Sequence, residues 1–139
     1  MGTITKTSRT LIVDDSPLTR EMVRNALSRI GYTNLDEAGN GRIALDKIRD
    51  AKEKNEEPFC LVFLDWSMPE MDGLTFLKTC RADPELSDLP IIILTASAEQ
   101  ANMVNAFQNG ATAFITKPFI SENIAKTMEQ VLAWAEKHA

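Results

Sequence analysis

Short apolar runs divide the chain, and four of them stop at a polar or charged residue. Leu11-Ile12-Val13 ends at Asp14 and Asp15, Leu61 to Leu64 at Asp65, Ile91 to Leu94 at Thr95, and Ala113 to Ile115 at Thr116 and Lys117. Between the runs, apolar positions recur every three or four residues, the spacing of a helix that buries one face. Met22, Val23, Ala26, Leu27 and Ile30 predict a first helix, Ile43, Ala44, Ile48 and Ala51 a second, and Leu74, Phe76, Leu77 and Cys80 a third. A fourth is expected from about Glu99 to Asn109, and Ile124, Met128, Val131, Leu132 and Ala135 mark the inner face of a fifth. Ser16-Pro17 reads as a cap with proline in the first turn, Gly31 and Gly110 as stops, Gly39-Asn40-Gly41 as a turn, and Asp83-Pro84 as a helix end.

With Thr33 to Ala38 as a short second strand, strand and helix alternate five times. The runs LVFL and IIIL are almost wholly apolar, as expected of parallel strands covered by helices on both faces. Right-handed crossovers then predict an α/β, doubly wound, five-stranded parallel sheet of flavodoxin-like strand order 2-1-3-4-5. In such a sheet the four polar strand ends share one edge, and that edge is where ligands bind. The chain has no G-x-G-x-x-G after the first strand and no G-x-x-x-x-G-K-[ST], so dinucleotide and P-loop nucleotide sites lack their phosphate-cradling glycines.

Composition bounds the setting. At 139 residues, 44% hydrophobic and 25% charged, the chain has the make-up of one soluble globular domain. Residues 1–8 are expected as a flexible tail and 9–139 as the domain, with the KEKNEE run after the second helix as solvated surface. The longest apolar stretch, Phe59 to Leu64, is too short to cross a membrane, and Lys6 stands where a myristoylation motif wants Ser or Thr. A monomer in the cytoplasm is expected, without membrane insertion. The formal charge of -5 argues against nucleic acid as a partner. Cys60 and Cys80 have no metal-binding or redox spacing and read as reduced core thiols.

On the predicted sheet edge Asp14, Asp15 and Asp65 are brought close, and uncompensated anions in one place are costly, so a cation is expected there. Hard oxygen donors suit Mg²⁺ or Mn²⁺ better than zinc. The only histidine, His138, is near the C-terminus, which leaves imidazole out of any base role. Taken singly, each residue has a plainer reading. Asp15 or Ser16 caps the first helix, Asp65 organises a turn, Thr95 caps the fourth helix, and Lys117 pairs with a carboxylate. Their convergence on one edge favours a site for a divalent cation and a phosphoryl group.

The sequences LIVDD (11–15), LDWSMPEMDG (64–73), LTAS (94–97) and TKPF (116–119), in this order and spacing, resemble those of bacterial response regulator receiver domains, in particular the single-domain chemotaxis members. The resemblance covers nearly the whole chain from Arg9 onward. It implies that Asp65 accepts a phosphoryl group from a sensor histidine kinase or a small phosphodonor, and that the domain catalyses its own phosphorylation and dephosphorylation without being an enzyme otherwise. It implies Mg²⁺ held by Asp15, Asp65 and the backbone carbonyl of Ser67, with Asp14 acting through water. By the same resemblance Lys117 pairs with the phosphoryl oxygens, a cis bond at Pro118 aims it, Thr95 swings toward the phosphoryl group, and Phe114 rotates as a switch. Read from the sequence alone, without the resemblance, Phe114 is better taken as a plain core aromatic.

Ser67 and Ser97 occupy the two positions that set phosphoryl lifetime in the family. Both are smaller than the groups in the best-known chemotaxis proteins, so no lifetime or phosphatase carries over. The expected output is a partner docking on the fourth helix, fifth strand and fifth helix, with the flagellar motor switch a candidate. The fourth helix is rich in amides, with Gln100, Asn102, Asn105, Gln108 and Asn109, and poor in charge, as interface cores are. Alternatives are a phosphorelay intermediate, a regulator of another enzyme, and a Mg²⁺-dependent phosphatase with an aspartyl nucleophile. The last wants a second Asp at position 16, which holds Ser.

Overall fold

Strand and helix alternate along the chain as β1 (Arg9–Val13), α1 (Pro17–Arg29), β2 (Leu35–Ala38), α2 (Gly41–Glu53), β3 (Phe59–Leu64), α3 (Gly73–Ala82), β4 (Ile91–Thr95), α4 (Gln100–Gln108), β5 (Ala113–Thr116) and α5 (Ser121–Lys137). The computed structural model describes residues 4–95, 100–117 and 120–137, the side chains of residues 100–102 excepted. The strands form one sheet in the order β2-β1-β3-β4-β5, every neighbouring pair parallel. This is the doubly wound order expected from the alternation.

Local chemistry sets where the helices begin. Ser16 Oγ accepts from the Thr19 amide at 3.2 Å, Asn40 Oδ1 from Ile43 at 2.9 Å, and Asp72 Oδ1 from Thr75 at 2.8 Å. Each cap satisfies an amide the helix leaves without a partner and contributes about 1 kcal/mol. α1 closes where Gly31 takes φ +99°, a conformation other residues adopt at a cost.

Successive strand residues face opposite sides, so the sheet separates two cores. On one side Leu11, Val13, Val62, Leu64, Ile91 and Ile93 pack with Ala44, Leu45 and Ile48 of α2, Phe76, Leu77 and Cys80 of α3, and Ala106 of α4. On the other, Ile12, Leu61, Phe63, Ile92 and Leu94 meet Val23, Ala26 and Leu27 of α1 and Ile124, Met128 and Val131 of α5. Because β1, β3 and β4 are buried on both faces, their register is tightly specified: a slip by one residue would exchange the two cores.

Several expectations are corrected. Residues 4–8, expected within a flexible tail, are tied to the domain: Ile4 is 5% exposed and packs in the same core as Tyr32. Thr33 N–H donates to Lys6 O at 3.2 Å, the Lys6 ammonium lies 4.5 Å from the Tyr32 ring centre, and it also donates to Ile30 O. One apolar residue in a polar stretch has no period, so its burial left no pattern to read. Met22 and Ile43, expected inward, are 48% and 43% exposed, while Leu45 is buried instead. Cys80 is a core thiol, its pKa pushed up to about 12, chiefly by burial. Cys60 is only half-buried, next to the point where the β1–β3 register shifts.

Candidate functional site

Strand pairing carries the site residues into one row. The Asp65 amide donates to Val13 O at 2.9 Å, and the Lys117 amide donates to Thr95 O at 2.8 Å. The ladder thus runs one residue past the β1–β3 and β4–β5 pairs, and Asp14, Asp65, Thr95 and Lys117 emerge along the same edge.

Asp14 is 4% exposed and held from all sides. Its amide donates to Ala38 O at 3.1 Å, and its carbonyl accepts from Arg20 Nη1 at 2.6 Å. Its Oδ1 accepts from the Ser16 amide at 2.9 Å and its Oδ2 from Lys117 Nζ at 3.0 Å. Asp65 is 8% exposed; its Oδ1 accepts from the Trp66 amide at 2.9 Å and lies 3.8 Å from Lys117 Nζ. Asp15 is exposed, and carboxylate oxygens of Asp14, Asp15 and Asp65 lie within 4.8 Å of one another.

Burial and the nearby Asp14 charge push the Asp65 carboxyl up to about 6, against the opposing pull of Lys117 and the Trp66 amide, with Asp15 adding a further upward push. One ammonium therefore undercompensates three carboxylates. The donor set is all oxygen, with two carboxylates buried and Asp15 open to solvent, which fits a hard divalent cation such as Mg²⁺ or Mn²⁺. Among the described residues, Asp14, Asp15 and Asp65 are the side chains able to hold it.

Gly73 shapes the backbone that carries Asp65. A Cβ there would lie 2.6 Å from Asp65 O and 2.9 Å from Trp66 Cα, so the start of α3 can sit this close to the loop only with glycine. Ser67 is exposed in the same loop. Thr95 is 2% exposed at the end of β4. Phe114 is half-buried and packs against the α2–α3–α4 core, so its position suits a core aromatic and a switch alike. Ser97, Pro118 and His138 lie outside the described residues, as does the expected helix start at Glu99.

Two features escaped the sequence reading. Arg20 reaches the Asp14 carbonyl from α1. Its signal was a cation one turn into a helix, where the dipole disfavours positive charge and a fixed partner is needed. On α4, Val104 and Phe107 are 45% and 47% exposed, giving the amide-rich helix an apolar ridge at i, i+3 spacing. A cavity of about 390 Å³ lined by Lys52, Phe59, Cys60 and Leu86 opens at the opposite edge of the sheet, away from the carboxylates.

A doubly wound parallel sheet that gathers three carboxylates, a hydroxyl and a lysine at its carboxyl edge defines the class of domain. Residues 10–129 match the response regulator receiver domain, and the chain belongs to that family. It is similar to chemotaxis protein CheY-3 of Vibrio cholerae, 34% identical over 92% of this chain and 94% of the relative. It is also similar to chemotaxis protein CheY1 of Helicobacter pylori, 37% identical over 88% of this chain and 94% of the relative. Among solved structures, CheY4 of Vibrio cholerae superposes with a TM-score of 0.78 at 33% identity, covering 90% of this chain and 98% of that one. A CheY-like receiver domain from Methanospirillum hungatei gives 0.79 at 27% identity, covering 96% and 99%. The protein is thus a CheY-like receiver. Such domains interact with histidine kinases and downstream targets, typically bind Mg²⁺, and are generally not enzymes. Among the described residues no helix is long and apolar enough to cross a membrane.

Proposed function

We propose that the protein is a phosphorylation-controlled binding module in which Asp65 takes a phosphoryl group from a histidine kinase. The observation that carries this reading is the meeting of Asp14, Asp15 and Asp65 with the Lys117 ammonium at one sheet edge. An Asp65 carboxylate oxygen attacks phosphorus in line with the leaving group. The new O–P bond replaces the P–N bond of a phosphohistidine, and the departing imidazole keeps the electron pair and takes a proton.

Ionised Asp65 is needed for attack, and a carboxyl with a pKa near 6 is partly protonated at neutral pH. Asp14, Asp15 and Asp65, with the Ser67 carbonyl as a further donor, would hold a divalent cation, which when bound would supply positive charge that favours the ionised form and offsets charge on the phosphoryl oxygens. Lys117 stands ready to leave Asp14 for a phosphoryl oxygen, since one ammonium already reaches both carboxylates. In this reading the Thr95 hydroxyl follows, and Phe114 repacks behind it, biasing an existing equilibrium.

The output is a protein docking on α4, β5 and α5. The exposed Val104 and Phe107 on a helix without charged residues favour that face. The chemotaxis relatives make the flagellar motor switch the first target to try, in the cytoplasm.

The deciding experiment is intact mass after incubation with acetyl phosphate, with and without Mg²⁺, on the native protein and on Asp65→Ala. A Mg²⁺-dependent gain of one phosphoryl group that the variant lacks supports the reading. A gain that persists in Asp65→Ala, or none on the native protein with either acetyl phosphate or a phosphorylated kinase, overturns it.

A further inference from the structure

Arg20 stands in the second turn of α1, a helix whose first turn has no acidic residue to offset a cation near its positive end. Its side chain is only 18% exposed, so the charge is partly desolvated as well. A guanidinium tolerates this where its fork of donors is satisfied by fixed acceptors.

Both acceptors are fixed. Nε donates to Glu37 Oε1 at 2.9 Å and Nη1 donates to Asp14 O at 2.6 Å. Glu37 is anchored on β2, its other oxygen taken by Arg24 Nε at 2.8 Å and its carbonyl by Lys47 Nζ at 2.6 Å. Burial raises the Glu37 carboxyl, but hydrogen bonds and charges from Arg24 and Arg20 outweigh it and hold the group below the ordinary range. β2 thereby serves as the post to which Arg20 is tied.

The carbonyl that Arg20 grips belongs to the peptide joining Asp14 to Asp15. A peptide is planar, so fixing its oxygen fixes the direction in which the Asp15 amide and Cα leave. The Asp14 side chain has its own restraints in the Ser16 amide and Lys117, whereas Asp15 is exposed. Its carboxylate is aimed chiefly by the backbone that carries it.

We infer that Arg20 is a positioning residue that sets the Asp14–Asp15 peptide plane and so tunes how tightly the carboxylate cluster holds a divalent cation. This rests on the cation-site reading above. The sign of the effect separates it from a charge effect. A guanidinium beside three carboxylates repels a cation, so by charge alone its removal would strengthen binding. Loss of positioning weakens it, by roughly 10-fold or more on the scale of outer partners of metal ligands.

The test is a Mg²⁺ titration of the unphosphorylated protein, read by quenching of Trp66 beside Asp65, in a Trp134→Phe background. Arg20→Ala is expected to bind about 10-fold more weakly. Arg24→Ala, which frees the same Glu37 and removes the same charge without touching Asp14, is expected to bind as tightly as the parent or slightly tighter. Arg20→Lys, with one ammonium for two acceptors, should fall between the two, and it serves in place of Arg20→Ala if that variant unfolds. Arg20 variants with parental or tighter affinity overturn the inference, as does equal weakening in Arg24→Ala, which would mark a general loosening of the fold. A parent that does not bind Mg²⁺ would overturn the site reading itself.

Discussion

On the β1–α1–β2 flank of the carboxylate cluster, Arg9, Arg20, Arg24 and Lys47 are tied to Asp36 and Glu37 by ion pairs of 2.8 to 3.4 Å. On the β4–α4–β5 flank, α4 has no charged residue, and Val104 and Phe107 face solvent. Half-buried ion pairs satisfied at both ends resist rearrangement, because moving one partner leaves the other uncompensated. An uncharged helix with apolar residues already in water has less to lose by moving. Asp14 and Asp15 of the carboxylate cluster belong to the first flank, and Thr95 and Phe114 to the second. The difference suggests a division of labour in which one side holds ligands still and the other changes shape.

The strongest way to break this division is to remove what joins its halves. Among the described residues Lys117 is the cation that reaches from β5 to both Asp14 and Asp65. Lys117→Ala should slow phosphorylation by acetyl phosphate by about 10²–10³-fold, read as mass gain against time, while Mg²⁺ affinity rises because no ammonium competes for Asp14. A rate within tenfold of the parent would mean that the flanks work together without it.

Charge within the cluster should show in stability. Because the Asp65 carboxyl is raised to about 6 in the fold from 3.8, the native state binds that proton more tightly than the unfolded chain. Stability without Mg²⁺ should therefore fall as pH rises between these values and level off above. Asp65→Asn, which cannot ionise, should gain about 3 kcal/mol at pH 7.5 and nearly nothing at pH 3.5, measured by urea unfolding. An equal gain at both pH values would assign the effect to packing.

A smaller effect tests how the second flank is tethered. Gly110 takes φ +98° at the α4–β5 turn, its carbonyl accepts from Arg81 Nε at 2.9 Å, and a Cβ there would lie 2.8 Å from the same nitrogen. Gly110→Ala should cost about 1–2 kcal/mol in thermal or urea unfolding. Smallest in stability, Phe107→Ser should change unfolding by less than about 0.5 kcal/mol yet weaken capture of the docking partner. Unchanged capture would move the docking face off α4.

Much of this was legible in the sequence, because short-range chemistry governs it. Ser16-Pro17, Gly31 and Asp83-Pro84 mark helix boundaries by their own backbone preferences, and the apolar runs fix strand order once crossovers are right-handed. The carboxylate cluster follows from strand ends alone. What stayed hidden depends on distant partners. Ile4 is buried by Tyr32, nearly thirty positions on. Met22 sits beside Val23 at the edge of the buried face of α1, where periodicity cannot decide between inside and outside. Arg20 is an ordinary surface cation until β2 brings Glu37 alongside.

Ile4 has a practical consequence at the other end of β1. The strand is five residues long, so about 16 Å of extended chain separates its start from Asp14, and the anchored segment enters at the far rim of the sheet. A fluorophore or surface tether attached at the exposed Thr7 would sit on the side away from the carboxylates. That end is the natural handle for immobilising the protein on a sensor chip with the carboxylate rim left facing solution.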